Sequence, residues 1–167
     1  MTRPVAAHGI SITPPRGWEV RIDLRREDPI VAPAAPRLPG ETISRSGTMT
    51  PFAHLGSFAL PARRSDYGAE AVERMKARDV FVALVEFDRE AADTPMFARR
   101  GLPALRMTDF HPTAMQRPMP HMCGAQWFFT EQGRAFCLYV VLGSWVLRRS
   151  LVTTASRTVK GIRISPR

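Results

Sequence analysis

Residues 126–142 read Gln126-Trp-Phe-Phe-Thr-Glu-Gln-Gly-Arg-Ala-Phe-Cys-Leu-Tyr-Val-Val-Leu142, and this stretch decides the fold. Gln126 to Thr130 is aromatic and suited to a strand. Glu131-Gln132-Gly133-Arg134 predicts a two-residue hairpin turn, with a glycine where positive φ is least costly. Ala135 to Leu142 then runs apolar without polar alternation, so this strand must be covered on both faces. Working outward, Asp79-Val-Phe-Val-Ala-Leu-Val-Glu-Phe87 is a second strand of the same kind. Gly143-Ser144 ends the first run, and Trp145 to Lys160 has helical spacing. Leu147, Leu151, Ala155 and Val159 fall at i,i+4 and form the buried stripe. Ser144 suits the N-cap and Gly161 the position after the helix. Ile162-Arg163-Ile164 is expected to return to the sheet. Two doubly buried strands with a helix between short connections predict an α+β fold, an antiparallel sheet with helices on both faces (an α/β/α sandwich).

The remaining elements are less sharply written. Ile10-Ser-Ile-Thr13 and Trp18-Glu-Val-Arg-Ile22 alternate apolar and polar around Pro14-Pro-Arg-Gly17, which predicts an N-terminal hairpin with Trp18 sealing one end of the core. Residues 23–49, rich in Pro, Ala, Arg and Gly, show no period and read as a long loop. Phe52 to Leu60 reads as a strand closed by Pro61. Ser65 or Asp66 is placed to cap a short helix running to about Ala77. Residues 88–124 form a second irregular segment, with Leu105 to Phe110 as a short edge strand. The 167 residues fit one domain, 1–167, able to bury a core without a disulfide or metal staple.

The charge is unevenly distributed. Of 24 basic residues only Lys76 and Lys160 are lysines, a bias typical of a high-GC genome, like the excess of Ala and Pro. Residues 1–45 carry seven basic and five acidic residues, 46–100 eight of each, and 101–167 nine and two. The last third therefore presents a basic surface, with Arg148, Arg149, Arg157, Lys160 and Arg163 on or after one helix. Such a surface suits phosphate, yet Trp127, Phe128 and Phe129 belong to the hairpin rather than to a stacking platform. A nucleic-acid role is thus the weaker reading. The first residues lack the apolar core of a secretory signal, and no stretch is long enough to span a membrane. A cytoplasmic protein with reduced thiols is expected.

No P-loop, G-x-G-x-x-G, H-E-x-x-H, G-x-S-x-G or paired C-x-x-C is present, so a non-catalytic protein without a cofactor is expected. The local candidate for chemistry is Met115-Gln-Arg-Pro-Met119-Pro-His121-Met122-Cys123-Gly124, with Met107 and His111 upstream; Met119, His121, Met122 and Cys123 fall within five residues. Thioether, imidazole and thiolate are the soft or borderline donors that select Cu(I), and imidazole with thiolate also suits zinc. In an extended segment, however, His121 and Cys123 point one way and Met122 the other. A Cys123–Cys137 disulfide is not expected. In a hairpin centred on Gln132-Gly133, Cys137 faces Phe128, and Cys123 lies about five positions further, roughly 16 Å away. A disulfide spans at most ~7 Å between Cα atoms.

The Pro15-Arg-Gly-Trp18 turn, the meandering strands, and the C-terminal block of long strand, helix and Ile162-Arg-Ile-Ser165 resemble the PsbP-like fold family. That family includes a photosystem accessory protein, a nuclear Ran-GTPase release factor and bacterial lipoproteins of the LpqN and DcrB type. The resemblance implies an antiparallel sheet between helices and an accessory or binding role; it transfers no site residue. The resulting expectation is a non-catalytic accessory protein that binds another protein through the segments 23–49 and 88–124. A small-ligand carrier with a cavity between sheet and helix, and a soft-metal protein using Met119, His121 and Cys123, are the alternatives.

Overall fold

The computed structural model describes residues 3–26 and 48–167. In chain order these form β1 (Val5–Ala7), β2 (Ile10–Ile12), β3 (Glu19–Arg26), β4 (Met49–Gly56), α1 (Ala69–Val72), β5 (Val80–Glu86), β6 (Cys123–Glu131), β7 (Arg134–Leu142), α2 (Arg148–Val159) and β8 (Ile162–Ile164). The fold is α+β. A five-stranded sheet has the order β3-β4-β5-β7-β6, and a three-stranded sheet the order β1-β2-β8; every strand pairing within them is antiparallel.

The turn at Gln132-Gly133 sets the register of the large sheet. Both residues have positive φ, 53° and 71°, which is the primed turn whose twist matches its strands. Glu131 pairs with Arg134, Phe128 with Cys137 and Cys123 with Leu142. This is the register read from the sequence, and it leaves the two thiols five positions apart. β5 and β7 are buried along their whole length, as their unbroken apolar runs require. Val80, Val82 and Leu84 of β5 and Phe136, Leu138, Val140 and Leu142 of β7 face one core. That core is closed by Leu151, Val152, Ala155 and Val159 of α2, Ile10 and Ile12 of β2, and Ile162 of β8. Phe81, Ala83, Val85, Tyr139 and Val141 face a second core with Ala71, Val72, Met75, Leu60, Met115 and Met122. The cover on this second face is mostly irregular chain and one turn of helix, rather than a helical layer.

Several expectations need correction. Ile10–Ile12 does not pair with the strand after Trp18. It pairs with β1 through a second primed turn, His8-Gly9 (φ 53° and 74°), and with β8 on its other side. The alternation of Ile10 and Ile12 announced a strand but not its partner. Trp18 packs against the first core without belonging to that hairpin. Ile162–Ile164 accordingly joins the small sheet, not the large one. Of the segment 23–49 read as a loop, residues 23–26 and Met49 are strand; 27–47 lie outside the described residues. Leu105–Phe110 is not an edge strand, because it contains a 3-10 turn at Met107–Asp109. The helix expected to reach Ala77 is the four-residue α1, with Gly68 at its N-cap; Ser65 Oγ accepts from the Ala69 N–H (3.3 Å). Ser144 caps the turn before α2, accepting from the Leu147 N–H, and the helix itself starts at Arg148. Gly161 is not left-handed. A β-carbon there would collide with the Thr13 carbonyl oxygen, so glycine is needed where β2 and the end of α2 meet.

One side chain joins the two sheets. Arg134, at the base of the β6–β7 turn, is 3% exposed and pairs with Glu86, 2% exposed, through Nε (3.0 Å) and Nη2 (2.7 Å). Its Nη1 donates to the carbonyls of Gly9 and Ser165, and Nη2 also donates to that of His8. All five guanidinium N–H groups are thereby used. The ring of Phe136 lies beneath the guanidinium at 5.2 Å, and Arg167 reaches Glu86 from the rim at 2.9 Å. Replacing Arg134 by Met leaves the buried carboxylate only the rim contact with Arg167 and takes a donor from the carbonyls of His8, Gly9 and Ser165. The expected loss is about 3–5 kcal/mol in urea unfolding, with Glu86→Met and the double variant non-additive. A loss below about 1 kcal/mol, the scale of a surface pair, would show that the clasp is not what holds the sheets together.

Candidate interaction surface

The second face carries a ladder of charges along the edge strand β3. Glu19 accepts from the Leu60 N–H (2.9 Å), Asp23 from Arg64 Nη2 (2.7 Å), and Arg25 donates to Asp66 (2.9 Å) and to the Glu86 carbonyl (3.0 Å). These bonds fasten residues 60–66 over the sheet. Beneath them lies His54, 0% exposed, between the rings of Phe52 and Phe81 at 5.0 and 5.2 Å. Its Nε2 donates to the Asp66 carbonyl (2.8 Å), and its Nδ1 has no partner. Burial lowers its pKa to about 4; the Asp66 carbonyl opposes the shift, and Arg64 adds to it. The same face holds Cys137, whose thiol is hydrogen-bonded with Tyr67 and pushed up to about 12 by burial. Tyr139 accepts from the Gln116 N–H (2.9 Å) and meets Tyr67 edge-on. These groups are enclosed between the 60–67 chain and the sheet, and their hydrogen bonds hold that chain, and at Tyr139 the Gln116 backbone, in place. The space bordered by Tyr67, Val72, Met119 and Tyr139 is about 30 Å³, the scale of a water molecule.

The residues singled out for soft metal do not converge. Cys123 belongs to the core under α2, whereas Met119 and Met122 pack against the opposite face of the sheet. His121 is exposed, at φ 63°, and its carbonyl accepts from the Trp145 N–H (2.6 Å). The Cys123 thiol is raised to about 11 by burial. Among the described residues no group of three or more His, Cys, Asp or Glu side chains is placed to hold a metal ion. The methionines fill the irregular space between loop and sheet.

The basic residues do gather, around α2. Arg149, Arg157 and Lys160 follow one another along its exposed side, and Arg163 lies just beyond, donating to the Lys160 and Ile162 carbonyls. Arg148 behaves differently. Its guanidinium lies 3.8 Å over the Trp145 ring and donates to that residue's carbonyl. Among the described residues none of these five cations pairs with a carboxylate. Beside Lys160 opens a cleft of about 340 Å³, lined by Leu102, Pro103, Ala104, Leu105, Ser156 and Val159. It adjoins, at Ala104, a second depression bordered by Arg99, Arg106, Asp109 and Trp127. The sequence marked α2 as basic and 88–124 as irregular. It gave no sign that the 102–105 chain lies alongside the helix, because that proximity depends on the sheet between them. The aromatic residues are no stacking platform: Phe129 is buried, Trp127 meets Phe110 edge-on, and Phe128 packs with Phe87 and Phe97.

The sequence matches no family model, and comparison with curated proteins and with solved structures found no significant match. No helix among the described residues is long and apolar enough to cross a membrane.

His54 makes a prediction that does not depend on any partner. Its folded-state pKa lies near 4, below the ordinary 6.5, so the unfolded chain takes up the proton first. The stability it permits is full above about pH 6.5 and is lost as pH falls toward 4, by roughly 3 kcal/mol over that window. Urea unfolding from pH 7 to 4.5 should show this loss in the natural chain and much less of it in His54→Leu. Equal pH dependence in both would assign the acid sensitivity elsewhere.

Proposed function

We propose that this protein is a non-catalytic accessory protein that binds another protein, and that the binding face is α2 with the 99–106 chain. The observation that carries this reading is an open apolar cleft bordered by cations that pair with no carboxylate among the described residues. A fold uses its ion pairs to fasten chain, as β3 does with residues 60–66. Among the described residues Arg149, Arg157 and Lys160 of α2 make no ion pair, and a complementary surface would supply one. The architecture that accompanies this reading is PsbP-like, an α/β/α sandwich in a cytoplasmic protein. It is supported by α1 and α2 packing against opposite faces of an antiparallel sheet.

The alternatives have less behind them. A nucleic-acid partner would use the same cations, but the nearby aromatic rings are engaged in packing. A carrier needs a pocket of several hundred Å³ between sheet and helix; the space beside α1 is about 30 Å³, and the cleft of about 340 Å³ beside α2 lies between the helix and the 102–105 chain rather than over the sheet. A Cu(I) or zinc site would have to bring together donors that lie on two faces of the sheet.

The chain's lysine content provides the test. Lys160 borders the cleft, and Lys76 is exposed in the segment after α1. Amine cross-linking in the host extract, followed by peptide mapping, should join one recurrent partner protein to Lys160 and not to Lys76. Arg157→Glu should reduce that product. Cross-links shared equally by both lysines would remove α2 as the binding face.

A further inference from the structure

We infer that the cleft beside α2 receives an extended acidic segment of the partner protein, with one apolar side chain seated on Leu102, Leu105 and Val159. This rests on the protein-binding reading and names the chemistry of the partner. The apolar floor calls for a hydrophobic anchor, since phosphate or carboxylate alone would leave Leu102, Leu105 and Val159 facing water. The border calls for negative charge. Lys160 lines the cleft, Arg157 is exposed one turn earlier on α2, and Arg99 and Arg106 line the adjoining depression. Among the described residues that line the two depressions the one carboxylate is Asp109, which accepts from the backbone N–H of Arg106 (2.8 Å). Four cations thus face one acid that is already engaged.

The shape favours an extended occupant over a helix. The two depressions adjoin at the exposed Ala104, beside an irregular chain pinned to β6 by the Gly101 N–H to the Thr130 carbonyl (3.0 Å) and the Thr130 N–H to the Arg99 carbonyl (2.8 Å). An extended segment projects alternate residues to the same side, about 6.6 Å apart, so an apolar residue can enter one depression while an acidic one meets the next. Discrimination against nucleic acid comes from the floor, which offers phosphate no donor and a base no ring face.

The test is fluorescence anisotropy of the full chain with a labelled probe peptide of Asp and Glu around one central leucine. Three competitors accompany it: the same peptide with Ser for Leu, the same with Lys for the acids, and a single-stranded oligonucleotide of matched charge. The acidic leucine peptide should bind, more weakly as salt rises. The Ser peptide should bind about tenfold more weakly, and the Lys peptide and oligonucleotide more weakly still. Lys160→Glu with Arg157→Glu should cost tenfold or more, whereas Arg149→Glu, further along the helix, should cost little. Ala104→Trp fills the cleft from an exposed position and should block binding with unfolding unchanged. Equal binding of Leu and Ser peptides, equal loss from Arg149→Glu, tighter oligonucleotide binding, or no peptide binding at all would each overturn the inference. If the peptide fails while Lys160 still cross-links to a partner protein, the acidic-segment inference falls alone. If Lys160 cross-links to no partner, the protein-binding reading falls with it.

Discussion

The bidentate pair between Arg134 and Glu86 is the constraint on which the arrangement of the two sheets depends. Glu86 ends a central strand and Arg134 begins its neighbour, so the pair forms within the large sheet. The remaining donors of Arg134 reach outward to carbonyls at the β1–β2 turn and after β8. Three distant pieces of chain, the N-terminal hairpin, the centre of the sheet and the C-terminal strand, therefore meet at one guanidinium. An ammonium on a flexible stem has three donors and no planar fork, so lysine could not satisfy the same five acceptors. Removing two charges from water is costly, and the pair compensates only because every donor is matched. Its contribution is thus geometric as much as energetic. It specifies where the small sheet sits, a decision that hydrophobic contact between Ile10, Ile12, Ile162 and α2 would leave loosely defined.

What could be read from the sequence follows from how local each signal is. The Gln132-Gly133 turn is a local backbone requirement, and it delivered the Phe128–Cys137 register directly. The two apolar runs were legible because a strand buried on both faces has no alternation to hide. The N-terminal strand was seen but wrongly paired. Ile10 and Ile12 signal one buried face, and nothing in three residues says which strand lies beside them. The His8-Gly9 turn is a weak signal, since histidine adopts the left-handed region less readily than asparagine or aspartate in such turns. Arg134 was hidden by abundance, one of 22 arginines. Its only trace was the carboxylate of Glu86 at the end of an otherwise apolar strand, where an unpaired charge could not be buried.

The candidate soft-metal residues illustrate a different limit. Met119, His121 and Cys123 are neighbours in sequence, and strand geometry separates neighbours. Cys123 enters β6 facing the α2 core, and the methionines before it turn to the opposite face to pack against β4, β5 and β7. Sequence proximity of donors indicates a site only when a turn or helix brings them to one side. The buried polar groups that the fold does assemble, His54 with the Asp23, Arg64, Asp66 and Arg25 ladder, are spread over some forty residues of sequence. Their function is to clamp the 60–66 chain, with His54 kept neutral by its phenyl neighbours.

The basic surface has two origins that act at different levels. A high-GC codon bias would favour arginine over lysine across the whole chain, but it would not place charge. The middle third carries as many acids as bases, and among the described residues two of its eight cations are held in ion pairs, Arg64 with Asp23 and Arg100 with Asp93. The last third has two acids for nine bases; Arg117, Arg134 and Arg167 pair with acids of the middle third, whereas among the described residues Arg148, Arg149, Arg157, Lys160 and Arg163 pair with none, and α2 has no acid in its first turn. A first turn of Arg148 and Arg149 works against the helix dipole. Arg148 offsets this by stacking on Trp145; Arg149 has no such contact and stays exposed. A helix that keeps an unfavourable charge at its start, and an acid-free exposed side above an apolar cleft, is better adapted to an external anion than to its own fold.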